Sequence, residues 1–422
     1  MNKLDDEKKT VIFVMPRLPF PTTSGRKTSL YHYCKILSDE LGYRLVVAAF
    51  LENGDDINLK PDFIDELIVL PKAGIFEKVF NVFFKSLILK ICPIQVSLFW
   101  SRKAKKVIDR SVISYKPCVV IADMVRTIDY IKNIDCYRIA DLDDRISLRY
   151  EREMKNNLDD INPYGAFLYT LPCFIRNMVM REKIKSFVMK NEIMLLKKYE
   201  KNVALQCDRT ILVAQKEVES LNLEINAQKA VCVPIGVDID YYVPCYDVNK
   251  NNIIAFLGAM NVAHNEGAVK YFIKEIMPKI LKFVPDAKFV VIGGGGDESL
   301  FNLSDEHIFF TGRVDDVRET LAEAKVFVCP MSFGSGIKTK NLEAMAMGLP
   351  IVTTSIGAEN IDAKNGEEWF VVDSDIDFVE KVVFLLNNSC VADEMGKKAR
   401  RYVENNWTWK KARYSLEEAI MF

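Results

Sequence analysis

A chain of 422 residues that is 49% hydrophobic has the length of two or three domains and enough apolar side chains to fill their cores. Its 57 basic and 58 acidic residues nearly cancel, so there is no cationic excess to bind nucleic acid. Ten scattered cysteines without a Cys-x-x-Cys pair, and histidines far apart at His32, His264 and His307, give no zinc spacing and read as reduced thiols. In chain order, residues 11–15 (VIFVM) form a short apolar run ending at Pro16 and read as a buried strand. Residues 26–41 have helical spacing, and strand-like runs recur at 44–50, 66–70, 118–122, 137–140 and 209–213. Short apolar strands separated by helices argue for a parallel sheet covered on both faces.

The alternation then breaks and restarts. Residues 253–257, 288–292, 308–310, 326–328, 350–354 and 369–372 read as strands, with helices at 267–283, 314–324 and 340–347. Two doubly wound α/β units in tandem are expected. Ligands in such sheets bind beyond the carboxyl ends of the strands, so a cleft is expected where the units face each other. The polar first ten residues show no secretory leader, and the most apolar stretch, 75–100, is interrupted by Glu77, Lys78, Lys85 and Lys90. That fails the requirement for a spanning helix, and a cytoplasmic location is expected.

Several strand ends carry glycine. Gly258 follows the strand 253–257, where a missing side chain lets backbone approach a ligand. Gly293 to Gly296 read as a turn, because no third glycine or helix start completes a dinucleotide-binding pattern. Arg313 and Val314 follow the strand 308–310, and Asp315 and Asp316 read as a helix cap. The stretch FGSGIKTKNLEAMAMG, 333–348, is strand end, glycine loop and helix. It is not a Walker loop, since Ile337 separates Gly336 from Lys338. Free N–H groups at the helix start, with Lys338 and Lys340, suit a phosphate. Glu343, one turn into the helix, can accept two hydrogen bonds from a ribose diol or can simply favour the helix dipole.

These motifs together resemble glycosyltransferase family 4, which has the GT-B fold. The resemblance rests on PRLPFPTTSGRKTSLYHYCKIL near the start, VPIGVDIDYYVP at 233–244, FLGAMNVAHNEGAVKYF, FTGRVDDVRETLAEAKVFVCP and GSGIKTKNLEAMAMGLPIVTTSIGAENI. Residues 70 to 200 match only loosely. The resemblance implies two Rossmann-like domains facing a cleft: an acceptor-side domain over 1–225 and a nucleotide-sugar domain over 226–400. A terminal helix over 401–422 would cross back to the first domain. It implies retaining transfer of a sugar from a nucleoside diphosphate donor to a glycan or lipid-linked acceptor, with no cofactor and no essential metal. By resemblance Arg313 and Val314 meet the base and Glu343 the ribose. Ser335, Gly336, Ile337, Lys338 and Lys340 face the diphosphate and sugar. Gly258 and Gly25 contribute backbone near the donor.

Three departures matter. Ser335 stands where the family places the first of two glutamates separated by seven residues, the second being Glu343. The loop 258–267 lacks the family's Arg and Lys, which shifts the cationic role to Lys338 and Lys340, with Lys340 favoured. No histidine follows the strand 118–122; Asp123 and Arg126 stand there and are the first-domain candidates, with a purely structural role as the competing reading. Breaking the sugar–phosphate bond leaves negative charge on the diphosphate, so at least one lysine is expected to be critical. The segments 75–100 and 167–196 mix apolar residues with lysine or arginine; they read either as a peripheral membrane surface or as helices covering the first sheet. Two functions stay open: a glycosyltransferase of polysaccharide or glycoconjugate assembly, and a nucleotide-sugar 2-epimerase on the same scaffold.

Overall fold

The computed structural model describes residues 8–22, 24–156, 176, 181–245, 251–334 and 336–421. The chain divides into two compact units, one of residues 1–235 with 412–422 and the other of residues 236–411.

The first unit is built on seven parallel strands: β1 (Thr10–Met15), β2 (Arg44–Ala49), β3 (Glu66–Val69), β4 (Val119–Asp123), β5 (Tyr137–Asp143), β6 (Arg209–Leu212) and β7 (Ala230–Cys232). Their order is β3-β2-β1-β4-β5-β6-β7. All six residues of β1 are buried, because it lies between β2 and β4 with helices over both faces; the unbroken apolar run VIFVM is what such a position requires. Helix Gly25–Lys35 starts where the Ser24 hydroxyl accepts from Lys27 N, which fixes Gly25 and Arg26 in its first turn just past β1. The 25-residue helix Glu182–Gln206 packs Val188, Leu196, Tyr199 and Val203 against the unit.

Two sequence boundaries move. Ala230–Cys232 hydrogen-bonds to β6, with Thr210 opposite Ala230, so the first sheet continues past the break expected at 225. A three-residue strand is too short to show a period. Strand β5 runs three residues beyond 140, which carries Asp141 and Asp143 to the sheet end. Of the segment 167–196, residues 167–175 and 177–180 lie outside the described residues.

The second unit repeats the design with six parallel strands: β8 (Ile253–Leu257), β9 (Lys288–Ile292), β10 (Ile308–Gly312), β11 (Val326–Cys329), β12 (Ile351–Thr353) and β13 (Phe370–Val371). Their order, β10-β9-β8-β11-β12-β13, is that of the first six strands of the other sheet. The helix expected from 267 begins earlier, at Ala263, and continues to Ile280. Its cap residue is Val262, with no side-chain cap bond, so the usual start signal is missing. The helix expected from 314 begins at Val317, capped by Asp316, whose carboxylate accepts from Arg318 N at 2.9 Å. Asp297 likewise caps a short helix, Glu298–Phe301, so the four-glycine turn does lead into a helix, contrary to the sequence reading.

Helix Ser389–Asn406 runs unbroken through the boundary expected at 400. Val237 N donates to Trp407 O at 2.7 Å, and the Trp409 ring lies so close to Gly236 that a Cβ there would come within 2.4 Å of it. Both tryptophans of the WTW motif thus pack structurally. Helix Trp409–Ile420 follows, and its residues from Ala412 on group with the first unit. Among the described residues no helix is long and apolar enough to cross a membrane.

Candidate active site

In the second unit the chain folds its glycine loops onto one another at the carboxyl end of the sheet. Gly258 N donates to Ile292 O at 2.9 Å, and Gly293, at φ +131°, lies so near that a Cβ would come within 2.1 Å of Gly258 O. Only glycine fits that approach. A Cβ on Gly294 would meet Arg313 N at 3.1 Å, which ties the end of β10 to the same surface. Arg313 is exposed and Val314 half-buried there.

Lys340, in the first turn of helix Thr339–Ala346, sends its amine back under this surface. Its Nζ lies 3.0 Å from where a Gly258 Cβ would be, donates to Asn265 Oδ1, and sits 4.5 Å from the centre of the Phe256 ring. Asn265 in turn donates from Nδ2 to Ala259 O at 2.9 Å, so one buried amide holds both the lysine and the loop. Lys340 is 9% exposed and Lys338 5%. Burial pulls the Lys340 amine down to about 8, with Lys338 pushing the same way and Cys329 and Glu343 opposing. Lys338 Nζ donates to Gly336 O at 2.8 Å, and Gly336 N donates to Glu359 Oε2 at 3.1 Å.

Glu343 is half-buried, and burial lifts its carboxyl to about 7 against the pull of Lys340. Tyr242 lies near enough for Glu343 to add to the rise that burial imposes on its phenol. His264 borders Gly334, which has φ +103°; burial and then the two lysines hold its ring down at about 4, so it is neutral at pH 7. The structure therefore gathers Gly258, Gly336, Lys338, Lys340 and Glu343 at one sheet end, with Arg313 and Val314 on the neighbouring strand end. Ile337 is half-buried in the same loop, and Ser335 lies outside the described residues. The site is cationic, and Lys340 is held by a neutral amide and a ring face. Such an arrangement keeps charge for an anion.

The corresponding end of the first sheet is different. Gly25 opens its helix, and Arg26 points its guanidinium into three carboxylates. Arg26 Nε donates to Asp123 Oδ1 at 3.0 Å, Nη1 to Asp143 Oδ1 at 2.9 Å and Nη2 to Asp141 Oδ2 at 2.7 Å. Asp123 and Asp141 are fully buried, and Asp143 sits at φ +66°. Burial first, then the neighbouring carboxylates, push Asp141 up to about 7 against the pull of Arg26. Asp123 is raised by burial as well. Three acids share one guanidinium, so retaining a proton is the cheaper state.

Asp123 is thus the partner of Arg26, while Arg126 turns elsewhere. Arg126 Nε donates to Gln95 Oε1 at 3.0 Å, and its guanidinium lies 4.9 Å from the Phe99 ring. The structure does not bond these two sequence candidates to each other. Among the described residues no group of histidine, cysteine and acidic side chains is arranged to hold a metal ion.

Sequence reasoning missed Arg26, Asp141, Asp143, His264 and Asn265. Arg26 was signalled by its place beside Gly25, and the two aspartates by the acidic end of ADLDD. Asn265 carried no local signal, because its role depends on a lysine 75 positions away.

Two doubly wound parallel sheets in tandem, with a glycine loop at the carboxyl end of the second, fit the GT-B architecture. Residues 251–388 match the family model described as Glycosyl transferases group 1. The chain is 27% identical over 199 residues to a GDP-mannose-dependent monoacylated alpha-(1-6)-phosphatidylinositol monomannoside mannosyltransferase of Corynebacterium glutamicum, covering 42% of this chain and 52% of that one. The chain spans about half the length of the curated relatives it matches. Sucrose-phosphate synthase from Thermosynechococcus elongatus shares the fold at TM-score 0.66 and 13% identity, over 97% of this chain and 98% of that one. Anabaena HepE, solved with UDP and glucose, does so at TM-score 0.59 and 10% identity, over 96% and 98%. The chain therefore has the GT-B fold, and its second unit carries the segment that matches Glycosyl transferases group 1.

Proposed function

We propose that the chain transfers a sugar, with retention of anomeric configuration, from a nucleoside diphosphate sugar to a lipid-linked or glycan acceptor in cell-surface polysaccharide or glycoconjugate assembly. The observation that carries this reading is Lys340: a buried amine beside Gly258, held by Asn265 and facing the glycine loop that ends at Lys338. The donor's C1–O bond breaks and its electron pair goes to the terminal phosphate oxygen. Lys340 and Lys338 stabilise that charge most when it has fully developed. The two ammonium groups supply the positive charge, so the reading needs no resident metal. Glu343 accepts from the ribose hydroxyls, while Arg313 and Val314 border the base. The acceptor oxygen attacks from the face the diphosphate leaves, and its proton passes to the departing phosphate.

The Corynebacterium relative is named for a lipid acceptor and the HepE structure holds UDP and glucose, which supports a nucleotide-sugar donor and a lipid-linked acceptor. The named relative and the first solved structure are a transferase and a synthase, which does not favour the 2-epimerase alternative. The reading sets the reaction at the cytoplasmic face of the membrane. NMR of the product's anomeric proton tests the stereochemistry: the donor's configuration is expected, and inversion refutes retention. Donor incubated alone should give slow hydrolysis and no epimer. Chelator should leave turnover unchanged.

A further inference from the structure

The helix Ile75–Phe80 and its continuation Asn81–Ile88 bury Val82 against Ile94, Leu98 and Val188 but leave most of their aromatic side chains outside. Asn81 is 4% exposed and Ser86 0%, while Phe76 is 89% exposed. Val79, Phe80, Phe83 and Phe84 also face outward, and Ile88, Leu89 and Ile91 extend the patch. The Phe80 and Phe84 rings lie 4.7 Å apart and Phe83 and Phe84 5.4 Å, so the aromatics form one surface. Leaving that much apolar area in water opposes folding, and a contiguous patch of this kind marks an interaction site.

Polar contacts hold the helix in this orientation. Ser86 Oγ donates to Ser97 Oγ at 2.8 Å, and Asn191 Nδ2 donates to Ser86 O at 3.3 Å. Asn81 Nδ2 donates to Trp100 O at 3.4 Å, and Glu77 accepts from Arg102 N at 3.0 Å. Rolling the helix to bury its phenylalanines would break all four contacts, so the outward face is a built feature.

Basic residues outnumber acidic ones beside the patch. Between residues 72 and 91 stand Lys72, Lys78, Lys85 and Lys90, and the one acid, Glu77, accepts from the backbone N–H of Arg102. Lys90 Nζ lies 5.5 Å from the ring of Phe187, itself exposed, and Lys85 Nζ lies 5.8 Å from the Trp100 ring. A cavity of about 440 Å³ adjoins the patch; Lys85, Lys132 and Lys198 line it, with Asp129 as its acid. Aromatic rings with lysines reaching past them suit the boundary between acyl chains and anionic headgroups.

We propose that residues 75–91 dock this chain on a bilayer that carries anionic phospholipid. Phe76, Phe80, Phe83 and Phe84 enter the interfacial zone, Lys85 and Lys90 meet headgroup phosphates, and the helix lies in the plane of the surface. Its purpose rests on the lipid-linked acceptor proposed above; the docking itself does not.

Co-sedimentation of the full chain with vesicles tests this, using phosphatidylcholine alone and phosphatidylcholine mixed with phosphatidylglycerol. Binding to the mixed vesicles is expected, weakening as salt is added. The triple variant Phe76→Ser, Phe80→Ser, Phe83→Ser should keep a cooperative unfolding transition, because Phe76 is 89% and Phe80 and Phe83 each 51% exposed, and should bind at least about tenfold more weakly. Lys85→Gln with Lys90→Gln should lose about tenfold on the mixed vesicles only. Absence of binding to either vesicle, or equal binding by parent and triple variant, would overturn the proposal. So would a doubled solution mass abolished by the triple variant in a chain that ignores vesicles, since the occupant would then be a second copy. Donor turnover measured without lipid reads the transferase proposal separately: docking without turnover sinks that proposal alone, and turnover without docking sinks this one.

Discussion

The two sheets share a strand order and carry opposite charge at their carboxyl ends. In the first, one guanidinium is surrounded by Asp123, Asp141 and Asp143. In the second, Lys338 and Lys340 lie beside a ring that they help keep neutral, His264, and near the Glu343 carboxyl, lifted to about 7, with Glu359 bonded to the same loop. A doubly wound topology settles where side chains converge and leaves open what sign they have. The first cluster satisfies its cation internally. The second holds Lys340 through a neutral amide and a ring face.

Breaking each cluster in turn should expose this difference. Arg26→Met leaves buried carboxylates unpaired and should cost about 3–5 kcal/mol in denaturant unfolding near pH 8. The loss should shrink at pH 5, where Asp141, raised to about 7, holds a proton without help. Equal losses at both pH values would contradict the shared-proton account.

Lys340→Met should lower kcat by about 10²–10³-fold with only a small loss of unfolding temperature, since the hydrogen bond lost to Asn265 is partly offset by removing a buried charge. A fall in stability that matches the fall in rate would make Lys340 a structural residue. Glu343→Ala should raise the donor's KM about tenfold or more through the lost hydrogen bonds to the ribose, with a smaller change in kcat.

The Lys340 amine, pulled down to about 8, predicts a pH signature. Above that value the free enzyme loses the charge, so kcat/KM should fall about tenfold per pH unit. Lys340→Arg should remove that inflection whatever its rate. The smallest effect concerns stability. The folded state holds a proton on Asp141 up to about 7, whereas an unfolded aspartate releases it near 3.8. Folding therefore binds protons across that window, and this contribution is lost as pH rises through it. Asp141→Asn should flatten the slope of unfolding free energy against pH between those values.

Much of the fold was legible because both sheets use fully buried parallel strands. VIFVM and IIAFL are unbroken apolar runs, and no other element of that length needs them. The glycine loop was legible as well: FGSGIKTKNLEAMAMG places Gly334, Gly336, two lysines and a glutamate at spacings that a strand–loop–helix junction brings together. The start of the helix at Ala263 was not legible, since Val262 offers no capping oxygen. Hence Asn265 and His264 were read as loop rather than as first-turn residues under Lys340. Arg126 went unresolved for a related reason, since its partner Gln95 comes from a distant helix.

By itself the sequence determined the two-unit plan, the parallel sheets and the glycine loop with its lysines, because each depends on neighbours along the chain or on a short period. Tertiary structure alone decided which charges are spent and which are kept. Asp123 meets Arg26 across 97 positions and Lys340 meets Asn265 across 75. It also decided that the phenylalanines of residues 76–84 face outward. Their period fits either face of a helix, and the buried Val82 together with Ser86, Asn81 and Glu77, bonded to a neighbouring segment, selects the one exposed. Such choices turn on burial and on partners far apart in sequence, which no local pattern records.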